Sequence, residues 1–297
     1  MTDISFIGLG NMGFPMARHL TQAGNTVRAY DIVPDSVSAA GQFGAQACDS
    51  LAEATEGAEY VITMVPAGPH VREIYLSDGG ILDQVAEGAL LIDSSTIDLE
   101  SAEAVQAVAA ERGIEMIDAP VTGAIFLAEE GNLNFLVGGT SAAFNRAKPL
   151  LEPMARNVFH TGPAGSGLKM KICNNMILGS TMVLLAEAFT LGKKLGLDQK
   201  TMFDILSQGS SGSWMMDNYC PVPGIVPGNP ASNDYKPGFT GTLMRKDLRL
   251  AQQAAHSVQA STPIGGTAAA LMAMHCMTND AELDFSSIIK MIDGEND

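Results

Sequence analysis

Three glycines in Gly8-Leu9-Gly10-Asn11-Met12-Gly13 follow the apolar run Ile4-Ser5-Phe6-Ile7 and open a helical stretch from Met12 to Ala23. Strand, glycine turn and helix in that order make a cradle for a pyrophosphate. Gly8 permits the tight turn, Gly10 lets backbone approach the anion, Gly13 allows close helix packing, and the helix N-terminus offers N–H groups without intrahelical partners. Asp31 closes the next apolar run, Thr26 to Tyr30, at about the 20-residue distance expected of a ribose-binding acid. A carboxylate there accepts hydrogen bonds from a 2′-hydroxyl but repels a 2′-phosphate, and Ile32, Val33 and Pro34 supply no arginine to reverse the preference. The pattern predicts NAD rather than NADP.

A second constellation lies near the middle of the chain. Lys171 and Asn175 stand one helical turn apart, so an ammonium and an amide project from one face. Removing hydride from an alcohol carbon requires a group that takes the hydroxyl proton, and a lysine whose pKa is lowered by a dry site or a neighbouring cation can do this. Lys169 is turned about 200° away on the same helix and reads as a solvated surface lysine. Gly165 and Gly167, just ahead of the helix, leave room for backbone to approach a ligand. A lone lysine opening an apolar helix also serves structure alone, so the residues by themselves leave that alternative open.

These groups need a scaffold, and the hydropathy pattern supplies one. Short apolar runs at Ile4–Ile7, Thr26–Tyr30, Tyr60–Val65 and Leu90–Ile92 alternate with helical stretches near 12–23, 50–57, 68–76 and 98–112, and a further strand spans Glu115–Asp118. That rhythm predicts an α/β fold: an N-terminal Rossmann-type doubly wound sheet. Beyond the turn-rich Gly162-Pro163-Ala164-Gly165-Ser166-Gly167, strand runs vanish and helical periodicity takes over, predicting an all-α C-terminal domain. The expected division is 1–163 for dinucleotide binding and 164–297 for substrate binding and self-association. Leu168 to Leu195 reads as one long helix, apolar around most of its circumference between Met176 and Leu185 and hence buried on several sides. The loop between Cys220 and Gly241, rich in Pro and Gly, is long enough to suggest a functional role.

With 297 residues, 46% of them hydrophobic, and a formal charge of -16, the chain is a folded, acidic protein. Its net charge argues against nucleic acid and anionic lipid as partners, and an anionic substrate needs a local pocket. The scattered cysteines Cys48, Cys173, Cys220 and Cys276 form no C-x-x-C pair, and neither a signal segment nor an uninterrupted apolar span is evident. A soluble cytoplasmic protein with no metal site is expected.

Four ordered motifs spread over the chain resemble those of the β-hydroxyacid dehydrogenases: Phe6 to Gly13, then Asp118-Ala119-Pro120-Val121-Thr122-Gly123, then Gly162 to Asn175, then Lys246-Asp247-Leu248. The third carries G-x-x-G-x-G-x-x-x-K-x-x-N-N on Gly162, Gly165, Gly167, Lys171, Asn174 and Asn175. The resemblance implies oxidation of a small anionic 3-hydroxy acid with NAD(P), with Lys171 as the catalytic lysine and Asn175 orienting the hydroxyl. It further implies a substrate carboxylate received by Thr122 and Gly123, cofactor contacts from Val65, Pro66 and Thr96, and Lys246 closing the nicotinamide side. Thr96 reads equally as a helix N-cap. Two departures affect the pocket: Thr122 replaces a serine, and Ala124-Ile125-Phe126-Leu127 is bulkier than the small residues usual there, with Ile125, Phe126 and Leu127 read as core packing.

Later segments, Cys220-Pro221-Val222-Pro223-Gly224 and Asp284-Phe285-Ser286-Ser287-Ile288 among them, look like the hydroxyisobutyrate branch. The expected reaction is therefore 3-hydroxyisobutyrate plus NAD to methylmalonate semialdehyde plus NADH, a step of valine breakdown. The alternatives are a sister dehydrogenase or semialdehyde reductase acting on another small 3- or 4-hydroxy acid, and a cofactor-binding relative without catalysis. The long apolar helix points to a homodimer or homotetramer.

Overall fold

The computed structural model describes residues 2–294. Its first unit, up to Lys171, is built on a nine-stranded sheet. The strands are β1 (Asp3–Ile7), β2 (Thr26–Tyr30), β3 (Gln46–Ala47), β4 (Tyr60–Thr63), β5 (Leu90–Asp93), β6 (Glu115–Asp118), β7 (Val121–Thr122), β8 (Leu133–Gly138) and β9 (Ala155–Gly162). Their order is β3-β2-β1-β4-β5-β6-β8-β7, with β9 also paired to β8. All pairs from β3 through β6 are parallel, and β8 runs antiparallel to β6 and β7.

Why these residues form a doubly wound sheet is plain from burial. β4 and β5 are apolar on both faces, with Val61, Ile62, Leu90, Leu91 and Ile92 fully buried, as strands covered by helices on both sides must be. The first helix, Gly13–Gln22, buries Met16, Ala17 and Leu20 against this sheet and turns its other side to solvent. The chain leaves β1 to one side and resumes at β4 on the other, which places the glycine turn after β1 at the point where the winding reverses.

The strands read from the sequence are all present, β4 ending at Thr63 instead of Val65 because Val65 turns out of the ladder. Strands β3, β7, β8 and β9 are additions; β8 is the apolar run between the turn residues Gly131-Asn132 and Gly139.

The second unit, from Ile172, has helices as its regular elements among the described residues, joined by loops, with one isolated bridge between Thr240 and Asp284. The division lies within the helix Ser166–Lys194, later than the turn at 163 where the sequence suggested it, because the helix's first turn packs on β8 and belongs to the first unit. In the second unit this helix packs against Gly241–Ser257: a Cβ on Gly179 would stand 2.8 Å from Met244 Sδ and 2.9 Å from Leu248 Cδ2, so a glycine is needed for the two helices to approach.

By length and composition Ser166–Lys194 would also suffice to cross a bilayer, with a mean hydropathy of 1.4 in its most apolar window. The apolar stretch, interrupted by Gly179, Ser180, Thr181 and Glu187, is part of a helix of 29 residues. Met182, Ala186 and Phe189 are nevertheless buried in the core of the second unit. The expectation of burial on several sides holds only in part, because Ile177, Leu184 and Leu191 are 66%, 63% and 60% exposed.

The loop from Cys220 to Gly241 is tied down: the Asn229 amide donates to Cys220 O at 2.8 Å and the Tyr235 hydroxyl to Pro221 O at 3.0 Å. Asp284 gathers Tyr219 Oη at 2.7 Å and the Gly238 and Phe239 N–H groups at 3.0 Å. These contacts give the loop a structural part in the helical core.

Candidate active site

Sheet register decides what reaches one edge of the first unit. Ile7 is level with Tyr30 and Thr63, Thr63 with Asp93, and Asp93 with Asp118. The segments that follow these residues therefore leave the sheet together: Gly8 to Gly13, Asp31, Met64 to Pro66, Ser94 to Thr96 and Ala119 to Gly123. The C-terminal edge of an open parallel sheet is where its ligands bind.

Each glycine of the first motif has its own reason. Gly8 adopts φ +97°, and a Cβ on it would meet Met64 O at 2.3 Å; on Gly13 a Cβ would fall 1.9 Å from Gly8 O. Gly10 is different, because nothing lies within 4 Å of a Cβ there, so the space before it is open to a ligand. Among the described residues, the N–H groups of Gly10, Asn11 and Met12 find no backbone acceptor. Asp31 braces the turn: its Oδ2 accepts the Leu9 N–H at 2.6 Å and its Oδ1 the Val33 N–H at 2.8 Å, which leaves lone pairs for ribose hydroxyls. An open glycine, N–H groups at a helix start and a fixed carboxylate together fit a dinucleotide.

Beneath the neighbouring loops runs a buried polar network that the sequence reading missed. Asp93 Oδ1 accepts the Thr63 hydroxyl at 2.8 Å and the Ser95 N–H at 3.0 Å, and Thr63 Oγ1 lies 3.0 Å from the Tyr75 hydroxyl. Ser95 Oγ in turn accepts the Val65 N–H at 2.9 Å, joining the loop of Val65 and Pro66 to that of Thr96. The N-cap of the helix Leu99–Glu111 is Asp98, whose side chain takes the Ser101 N–H at 2.8 Å, so the capping role weighed for Thr96 belongs to its neighbour.

Burial pushes the Asp93 carboxyl up to about 6, against the opposing pull of its hydrogen bonds from Ser95 and Thr63. A raised folded-state pKa stabilises the fold fully below the unfolded value, and that stabilisation is lost as pH rises through about 6. Asp93→Asn keeps the accepting oxygen and removes the titration. Urea unfolding of both proteins should show the asparagine variant gaining on the parent by on the order of 3 kcal/mol between pH ~4 and pH ~7. A gap that stays constant over this range would refute the assignment.

Asp118, at the end of β6, carries the second motif into contact with the third. Its Oδ1 accepts the Gly165 N–H at 2.6 Å and its Oδ2 the Leu168 N–H at 2.7 Å, so a buried carboxylate caps the helix that bears Lys171. Burial raises the Asp118 pKa, and the two N–H donors offset part of that rise. Gly167 is in contact with β8: a Cβ would stand 2.0 Å from Leu136 O and 2.8 Å from Asp118 Oδ2. The sequence reading had reserved this glycine for ligand approach. Its neighbour is the protein's own strand, and Gly165 is required instead by φ +82°.

Lys171 is half-buried, and Lys169 is the surface residue expected, 56% exposed and 3.9 Å from Glu103. Thr122 is half-buried and Gly123 exposed, on the short strand β7 and just after it. The bulky segment after them forms the helix Ile125–Glu129. Ile125 and Leu127 are half-buried, as packing residues should be, but Phe126 is 47% exposed, because it lies on the outer face of that short helix.

In the second unit Asn175 is buried at 1% exposure and held at both ends of its amide. Its Nδ2 donates to Asp247 Oδ2, and its Oδ1 accepts from Asn174 Nδ2 at 2.9 Å. Asp247, 3% exposed, also lies 3.4 Å from the Lys246 ammonium. The bond between Asp247 and Asn175, across two helices, has no local signal in the sequence.

Two sequence profiles match most of the chain. The profile for the NAD-binding domain of 6-phosphogluconate dehydrogenase matches residues 3–162. That for the NAD-binding region of NADP-dependent 3-hydroxyisobutyrate dehydrogenase matches residues 165–292. A 3-hydroxyisobutyrate dehydrogenase of Pseudomonas aeruginosa is 49% identical, with all of both chains covered. The chain belongs to the β-hydroxyacid dehydrogenases. Another relative in this family, an NAD-dependent L-serine dehydrogenase of the same species, is 44% identical over 99% of this chain and 98% of its own. A solved structure of Mycobacterium tuberculosis 3-hydroxyisobutyrate dehydrogenase with L-serine superposes with a TM-score of 0.93 at 42% identity, covering 98% of this chain and 99% of that one. As a β-hydroxyacid dehydrogenase, the protein is an NAD-dependent oxidoreductase with a Rossmann-type first unit and a helical second unit.

Proposed function

We propose that this dehydrogenase oxidises 3-hydroxyisobutyrate to methylmalonate semialdehyde, with NAD preferred over NADP, as a step of valine breakdown. The observation that carries the reading is the Asp118 carboxylate. It joins the end of β6, which leads into Thr122 and Gly123, to the first turn of the helix that presents Lys171.

The reaction follows from these parts. NAD, when bound, supplies the hydride acceptor. Gly10, Asn11, Met12 and Gly13 bind its pyrophosphate through backbone N–H groups at a helix start, Asp31 takes the ribose hydroxyls, and Val65, Pro66, Thr96 and Lys246 complete its surroundings. Thr122 and Gly123 receive the substrate carboxylate. Lys171, neutral at the moment of reaction, accepts the hydroxyl proton on Nζ as hydride leaves the carbinol carbon, and returns it in the reverse direction. Asn175 orients the hydroxyl through the second N–H of its amide, whose direction is fixed by the Asp247 acceptor and the Asn174 donor.

L-Serine is the second reading, because it shares the carboxylate and the 3-hydroxyl and is the substrate named for one close relative. NADH formation with racemic 3-hydroxyisobutyrate, L-serine, glycerate and 4-hydroxybutyrate, each with NAD and with NADP, decides between them. The largest kcat/KM is expected for 3-hydroxyisobutyrate with NAD. A larger value for serine moves the assignment to that substrate, and a preference for NADP overturns the role of Asp31.

A cytoplasmic location is supported by the free thiols of Cys48, Cys173, Cys220 and Cys276. Self-association, as a homodimer or homotetramer, is supported by Ile177, Leu184 and Leu191, which recur at every seventh position on an exposed helix face.

A further inference from the structure

We propose that Asn134, through Asn157, is a positioning residue that makes the Thr122 hydroxyl a hydrogen-bond donor to the substrate carboxylate. The inference rests on the reading of Thr122 as a substrate contact and deepens it. Thr122 on β7 pairs with Asn134 on β8, and Asn134 pairs with Asn157 on β9, so three polar side chains lie in register across neighbouring strands on one face. The contacts form a chain. Asn157 Nδ2 donates to Asn134 Oδ1 at 2.8 Å, and Asn134 Nδ2 donates to Thr122 Oγ1 at 3.4 Å.

Direction matters in such a chain. With its oxygen occupied by Asn157, the Asn134 carboxamide turns its NH2 toward Thr122. The Thr122 oxygen then receives an N–H, and its own proton is left to point away from the ladder. A carboxylate has only acceptor oxygens, so it needs a donor there. A hydroxyl whose proton went to a protein acceptor would meet the carboxylate with lone pairs. The bond also selects a rotamer. Threonine carries a methyl and a hydroxyl on Cβ, and its stiff χ1 allows either to face β8. Asn134 stabilises the rotamer with the hydroxyl there. The substitution of threonine for the serine usual in the family makes this selection necessary, because a serine has no competing methyl.

Single variants Thr122→Ala, Asn134→Ala, Asn134→Asp and Asn157→Ala, and the double variant of Thr122→Ala with Asn134→Ala, test the inference. The readouts are KM and kcat for the acid, NADH affinity by fluorescence, and melting temperature. Asn134→Ala should raise KM about five- to tenfold, the worth of one lost hydrogen bond, with kcat within about twofold and NADH affinity unchanged. Asn134→Asp, which can only accept from Thr122 and adds a negative charge, should raise KM further, and Asn157→Ala should raise it less than Asn134→Ala. In the Thr122→Ala background, Asn134→Ala should add less than about twofold, because the hydroxyl it orients is gone. If Thr122→Ala raises KM but Asn134→Ala does not, or if the two effects simply multiply, the positioning role is wrong and the site stands. Should Thr122→Ala leave KM unchanged, the reading of Thr122 as a substrate contact fails, and this inference with it.

Discussion

Replacing Lys171 with methionine is expected to lower kcat by roughly two to four orders of magnitude, the usual contribution of a positioned acid or base. Methionine keeps most of the aliphatic stem, so the half-buried part of the side chain still packs, and only the proton carrier is lost. The glycine turn and Asp31 are untouched, so NADH should bind with parental affinity when followed by nicotinamide fluorescence. Lys169→Met is the control. Its side chain is 56% exposed and its ammonium lies 3.9 Å from an exposed glutamate, an ion pair of little consequence, and turnover should stay near the parental value. Near-normal turnover in the Lys171 variant would remove the assignment, whatever happened to KM.

Gly167→Ala should be a strongly damaging single-methyl change in the first unit. The added Cβ would stand 2.0 Å from Leu136 O, a backbone atom in the middle of β8, and 2.8 Å from the Asp118 carboxylate. Neither neighbour is the free end of a flexible side chain. The helix must move off the strand, which strains the bonds from Gly165 and Leu168 to Asp118. Overpacking of this kind costs about 1–3 kcal/mol and sometimes more. For domains of this size that corresponds to a melting temperature lower by roughly 2–12 °C. Gly10→Ala is the matched comparison, since no protein atom lies within 4 Å of its new methyl. It should melt with the parent yet bind NADH about tenfold more weakly or worse, because the methyl occupies space the pyrophosphate needs. If both variants keep parental stability, the contact between Gly167 and β8 does not have the weight given to it.

These two glycines show how far the residues could be read before folding. Both belong to recognisable spacings, and both were assigned to ligand approach. At Gly10 the space stays open, since nothing lies within 4 Å of a Cβ there. The assignment fails for Gly167, whose neighbour is a strand some thirty residues earlier. The same contrast separates Lys169 from Lys171, which helix geometry alone resolves, from Asn175, whose amide is directed by Asp247 on another helix. Asp93, Ser95 and Asn134 had no signal at all. Each is a single polar residue whose importance arises from a buried or in-register partner that no local spacing reveals. Phe126 was misread for a related reason: an aromatic in an apolar run suggests a core, but one turn of helix after Gly123 leaves it facing outward.

What the sequence determined by itself was everything with a short range. The period of apolar residues set strands and helices, the glycine spacing set the turn after β1, the strand's end set a carboxylate at Asp31, and four residues of helix set Lys171 one turn from Asn175. The tertiary structure alone decided which strand edges align, which carboxylate caps the long helix, and which amide faces Thr122. The physical reason is that backbone conformation follows from neighbours in the chain, whereas hydrogen-bond partners across a sheet or between helices depend on a register fixed only when the whole core packs.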